Sequence, residues 1–109
     1  MAIDWAKVGN QLGQSVGGVV GAAWQNASVG ANAQFKAIIA VGQEIEQKKD
    51  SLSQLEYNSL KIMQQRALEG ILQTYQGISL DIAEQAAAAA WNVVAGAIKT
   101  AYPILGFLP

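Results

Sequence analysis

The sequence predicts an all-α protein built from two to four long amphipathic helices, extended or folded back as hairpins, that assemble as an oligomeric helical bundle or tube. Three observations predict it. Ala, Gln, Leu, Glu and Lys dominate, while the alternating Val-Thr-Tyr runs of half-buried strands are missing. Apolar residues through the centre of the chain recur at three-and-four spacing. Gly9, Gly13, Gly17 and Gly21 recur every fourth residue, with Gly18 beside them, and on a helix that spacing forms one smooth ridge. At 109 residues the chain is expected to be a single helical unit.

The first element, 1–25, carries the glycine ridge from about Ile3 to Trp24, with Trp5, Val8, Leu12, Val16, Val19 and Val20 around it. Each glycine in a helix interior costs about 1 kcal/mol relative to alanine, so roughly 4 kcal/mol is lost unless another helix packs closely on the ridge. Close helix packing is therefore expected at Gly9, Gly13, Gly17 and Gly21, in a soluble bundle or at a membrane. Asn26, Ser28, Gly30 and Asn32 read as a joint, with Asn26 or Ser28 capping the next helix.

The central element, 31–77, is the clearest amphipathic stretch. Phe35, Ile38, Val41, Ile45, Leu52, Leu55, Leu60, Met63, Ala67, Ile71 and Ile78 form its apolar stripe. Gln43, Gln47, Gln54, Asn58, Gln65 and Gln76 fall on the opposite side, an amide face toward solvent or the water of a lumen. A continuous helix here would be a rod of roughly 70 Å, too long for a compact domain of this size. The alternative is a break at Lys49-Asp50-Ser51, where Ser51 and Gln54 match a capping box, and a hairpin of two helices.

Gly77 followed by Ile78 reads as a helix stop, and Ser79 caps the next element, with Asp81 near its positive end. That element, 79–102, contains five successive alanines, Ala86 to Ala90, then Trp91, Val93, Val94 and Ile98. Pro103 ends it and leaves an apolar tail, 103–109, that needs a burial site.

Composition excludes whole classes of chemistry. There is no cysteine and no histidine, so disulfides, thiolate ligands, histidine ligands and histidine-assisted nucleophiles are absent. No phosphate-cradling glycine loop or helical zinc motif occurs. Glu44 and Glu46 are read on different helix faces, and the acidic residues are expected as solvated charges. We therefore expect no catalytic residues, no cofactor, no metal and no small-molecule substrate. Seven basic residues against eight acidic ones, scattered along the chain, lack the basic footprint of a nucleic-acid binder. Hydrophobic residues reach 51% and charged residues only 14%, below the usual charged fraction of about 25%, so the surface is under-charged for a solitary soluble protein.

No window reaches about 18 clean apolar residues, so a single-pass anchor is not expected. Asp4 ahead of Lys7, with Gln11 and Gln14 interrupting the subsequent run, argues against a secretory signal. Trp5, Trp24 and Trp91, with Phe107 and Leu108 of the tail, are the candidate contacts with a membrane or partner.

The order of zones carries a family likeness. A small-residue start from Gly9 to Gly21, an amide-rich amphipathic centre from Gln43 to Gln76 and an Ala-rich end from Ala86 to Ile98 resemble the DNA pilot proteins of small tailless phages. The chain also looks like the internal genome-ejection proteins of short-tailed and membrane-containing phages. In that family long helices assemble into a tube with an amide-rich interior that carries the genome across the envelope. The resemblance implies a non-enzymatic virion protein acting at the host cell envelope. Its partners would be further copies of itself, other virion proteins, the host membrane and transiting nucleic acid. The alternatives are a small soluble helical adaptor, a structural component of a secretion system, and a membrane-permeabilising toxin.

Overall fold

The computed structural model describes residues 3–103. They form four α-helices and no strand: α1 Trp5–Val20, α2 Trp24–Gln47, α3 Gln54–Leu72 and α4 Leu80–Ala101. The helices run up, down, up and down as a bundle with principal extents of 42 × 26 × 18 Å. A 24-residue helix such as α2 spans about 36 Å, so the bundle is one helix long. In cross-section α1, α2, α3 and α4 follow one another around a square. The α1–α4 contact is the broadest, and α1 and α3 lie at opposite corners without touching.

Local chemistry explains the ends. Asp4 caps α1 by accepting a hydrogen bond from the Lys7 N–H at 3.1 Å. The chain then turns at Gly21, whose φ of 76° is reached easily only by glycine. One 3₁₀ turn, Gly21–Ala23, leads directly into α2. The expected joint at Asn26 to Asn32 is thus displaced toward the N-terminus, and all four of its residues lie inside α2. Gly30 sits there for packing: a Cβ at this position would approach the hydroxyl of Tyr75, in the turn between α3 and α4, to 2.5 Å.

The central stretch breaks, which rules out the 70 Å rod. Residues 48–53 form the turn, and the cap is two residues later than the expected Ser51–Gln54 pair. Ser53 accepts from the Glu56 N–H at 3.1 Å, and its hydroxyl donates to the Glu56 carboxylate at 3.4 Å, an N-cap in which serine and glutamate bond through their side chains. Ser79 caps α4 in the same way through the Ile82 N–H at 3.2 Å. Gly77 ahead of it takes a φ of 90°. The tail residues Ile104 to Pro109, including Phe107 and Leu108, lie outside the described residues.

The core is unusually rich in alanine. Ala27, Ala31, Ala83, Ala86, Ala87, Ala90 and Ala95 are buried together with Leu12, Ile38, Ile45, Tyr57, Leu68, Leu72, Trp91 and Ile98. Small side chains at these seams let helix axes approach toward the short end of the usual 8–10 Å range. Among the described residues no polar or charged residue is buried. The total accessible surface of 5995 Å² is close to the roughly 5,800 Å² expected of a compact folded monomer of this mass. The fold therefore closes upon itself.

The apolar stripe is correct on α2 and shifted on α3. Phe35, Ile38 and Ile45 are buried, as are Leu52 and Ile78 in the turns, while Val41 is half-buried. On α3 the buried row is Tyr57, Leu68 and Leu72, with Leu60 packed beside it. Leu55 and Met63, expected in the core, are 78% and 63% exposed, and Ala67 is exposed too. The turn of α3 is fixed by contacts with distant segments: Tyr57 meets Trp91, and the Gln64 carbonyl accepts from the Gln34 amide at 3.0 Å.

Candidate functional site

The glycine row divides by position. A Cβ on Gly9 would meet Ile39 Cδ1 at 3.3 Å, and one on Gly17 would meet the Trp24 indole at 3.0 Å. These two glycines accommodate side chains of the chain's own α2. Gly13 between them, and Gly18 and Gly21, have nothing within 4 Å of the position a Cβ would take. Trp24 is held over Gly17 and against Phe35, with ring centroids 6.0 Å apart.

The three tryptophans occupy different environments. Trp91 is 1% exposed, which removes it from the set of surface contacts. Its indole N–H donates to the Tyr57 hydroxyl at 2.8 Å, and the two rings pack with centroids 5.9 Å apart. Burial pushes the Tyr57 hydroxyl above its ordinary pKa, opposed by the hydrogen bond from Trp91. Trp24 is partly buried in the core as described above. Trp5, also partly buried, lies over Gly42, where a Cβ would come within 2.6 Å of its ring.

The amide face is on the outside of the bundle. Gln43, Gln47, Gln54, Asn58 and Gln76 are exposed and Gln65 is half-buried. No aqueous lumen runs inside one chain, because the space between the four helices is filled by the apolar core. Beside the amides, α3 presents Leu55 and Met63 outward together with Ile62, and Arg66, Ala67 and Gly70 continue the row. At the opposite corner a shallow groove of about 700 Å³ runs between α1 and α4. Gln11, Gln14 and Ser15 line one side of it and Asn92, Gly96 and Thr100 the other.

Sequence reasoning missed one polar cluster. Glu46, near the end of α2, was expected as a solvated charge, yet both its oxygens are engaged. The Trp5 indole N–H donates to Oε1 at 3.0 Å and the Tyr102 hydroxyl to Oε2 at 2.6 Å. Lys49 Nζ lies 4.9 Å from the centre of the Tyr102 ring. Partial burial pushes the Glu46 pKa up. The hydrogen bonds from Tyr102, Trp5 and the backbone of Ile3, with the charge of Lys49, more than offset this and hold it below the usual glutamate value. Tyr102 is shifted the other way, because its hydroxyl proton is held by Glu46. The partners of Glu46 are 41 and 56 residues away in sequence, so no local signal marks it.

Among the described residues no group of three or more acidic side chains is placed to hold a metal ion. No helix of the described residues is long and apolar enough to cross a membrane. What the surface offers is packing and hydrogen bonding: an apolar row beside amides on α3, and a groove of mixed polar and apolar lining between α1 and α4. Comparison with protein-family models, with characterised proteins and with solved structures finds no match for this chain.

Proposed function

We propose that this protein is a non-enzymatic structural subunit of a phage particle that helps deliver the genome through the host envelope, acting by helix packing rather than by chemistry. Each subunit is a four-helix bundle, and copies join through the outer face of α3. The observation that carries this reading is the outward apolar row of Leu55, Ile62 and Met63 on that helix, 78%, 44% and 63% exposed. Covering a side chain of this kind is worth about 1.5–3 kcal/mol when complete. Arg66 and the exposed amides nearby would form the polar rim of such a contact. Because the amide face lies outside the bundle, any water-filled passage for nucleic acid would run between subunits. Its interior would be lined by amides that hydrogen-bond without gripping phosphates, since a basic lining holds nucleic acid by counterion release.

Native mass in buffer and in detergent, with dye release from liposomes, tests this reading. A closed multi-subunit assembly that falls apart on Met63→Glu supports it. A monodisperse monomer in both media, inert toward liposomes, refutes it.

The second reading is a soluble helical adaptor, in which the bundle works as a monomer docked on a larger partner. It is favoured by the glycine row, since Gly9 and Gly17 already hold Ile39 and Trp24 of the same chain. Under this reading the mass is that of one chain, and Met63→Glu leaves it unchanged.

A further inference from the structure

Glu46 joins three segments at one end of the bundle. It belongs to the last turn of α2, Trp5 opens α1, and Tyr102 comes directly after α4. The indole N–H and the phenol O–H donate to different oxygens of the same carboxylate, at 3.0 and 2.6 Å. An ionised carboxylate is acceptor-only and has room for both donors. A protonated one carries a hydrogen on one oxygen and loses part of that capacity. Tyr102 lies at the end of the described residues, directly before Pro103, so whatever holds Tyr102 fixes the end of α4 against the bundle.

We propose that Glu46 is a latch that fastens the start of α1 and the end of α4 to α2, closed only while Glu46 is ionised and Tyr102 is protonated. The groups that face it are the Trp5 indole, the Tyr102 phenol, the backbone N–H of Ile3 and the ammonium of Lys49. The two conditions give the latch two pH limits. Glu46 is held below the usual glutamate value, so its contribution is complete above the ordinary glutamate range and is lost as pH falls through the lowered value. Tyr102 is held above the usual tyrosine value, so its contribution is complete below the ordinary tyrosine range and is lost as pH rises through the raised value. Beyond that upper limit a phenolate would face a carboxylate across a hydrogen-bond distance, and like charges there repel. At the acid limit the shared acceptor loses its charge and its hold on both Trp5 and Tyr102 weakens, whereas at the alkaline limit Tyr102 is released while the Trp5 N–H keeps an ionised acceptor and senses the phenolate beside it.

The three tryptophan indoles make this measurable in the full chain by ¹H–¹³C spectra of their ring C–H groups, recorded from pH 2.5 to 12. Trp5 reports the latch, whereas Trp91, bonded to Tyr57, reports the intact core. The expected result is that the Trp5 indole resonance holds steady across neutral pH and moves at both limits while the Trp91 resonance stays in place. In Glu46→Gln the Trp5 resonance takes its acid position at neutral pH and ceases to titrate in acid, with Trp91 unchanged. Tyr102→Phe removes the alkaline limit and moves the acid midpoint up toward that of an ordinary glutamate. The proposal is overturned if Glu46→Gln leaves Trp5 titrating as before, or if Trp5 and Trp91 always move together, since the change would then be unfolding of the whole bundle.

Discussion

Gly13 and Gly42 are both interior helix glycines, yet the structure gives their alanine variants opposite signs. At Gly13 an added Cβ meets nothing within 4 Å. Gly13→Ala should therefore gain only the helix preference of alanine, about 0.5–1 kcal/mol. At Gly42 the same Cβ would lie 2.6 and 2.7 Å from two atoms of the Trp5 ring and 3.1 Å from Val94 Cγ1 on α4. Trp5 has little freedom to withdraw, because its N–H is bonded to Glu46. Overpacking of a tight site costs about 1–3 kcal/mol, and loosening a hydrogen bond to a charged acceptor adds about 1.5 kcal/mol. After the helix gain is subtracted, Gly42→Ala should destabilise by about 2–3 kcal/mol. The two variants then differ by about 3 kcal/mol, or roughly 12 °C in Tm at about 4 °C per kcal/mol for a domain of this size. Urea unfolding followed by circular dichroism, with thermal melts alongside, measures both. If the two variants shift in the same direction, the packing of Trp5 on Gly42 is not what stabilises that end of the bundle, and the reasoning fails.

Tyr57→Phe removes the acceptor of the buried Trp91 N–H while keeping the ring, and should cost about 1–3 kcal/mol in urea unfolding; a neutral effect would mean that this hydrogen bond does not stabilise the core. Ser53→Ala and Ser79→Ala each remove a helix cap and should each cost about 1 kcal/mol. Ser51→Ala, in the turn but not at the cap, should stay within about 0.5 kcal/mol, and equal losses at Ser51 and Ser53 would argue for the earlier helix start. Leu12→Ala deletes a fully buried side chain of α1 and should cost about 2–5 kcal/mol; a smaller loss would mean that α1 is only loosely docked.

Some of this architecture was legible because its causes are local. The Gly77 stop and the Ser79 cap sit a few residues apart and act on the same turn of chain, so reading along the sequence finds them. The helical character of every segment follows from composition and spacing in the same way. The break at Gly21 was hidden, because it is the fourth member of an evenly spaced glycine row whose first three lie inside α1. Only its backbone angle distinguishes it. The joint expected at Asn26 to Asn32 failed for the converse reason: Gly30 resembles a breaker locally but serves a tertiary contact with Tyr75.

The rotation of α3 was illegible for a related cause. Leu55, Met63 and Ala67 continue an apolar spacing that looks like a core row. The row that is buried instead is selected by partners on other helices, Trp91 for Tyr57 and Gln34 for Gln64. The same holds for Glu46, whose role depends on donors from both ends of the described chain. Separately, the glycine row promised a close helix contact without saying whose. The structure assigns two of its members to α2 of the same chain and leaves Gly13 open.

The breadth of the α1–α4 contact bears on how the chain acquires its fold during synthesis. The α1–α2 hairpin, joined by a single 3₁₀ turn, consists of short-range contacts and is able to form as soon as its residues emerge from the ribosome. Its largest neighbour, however, is encoded some sixty residues downstream of α1. Until α4 has been made, the hairpin lacks the alanine-lined surface against which α1 does most of its packing. The growing chain therefore carries a sticky, half-finished hairpin while α3 and α4 are still being made, a period in which a second nascent copy or a chaperone competes for the place that α4 will take.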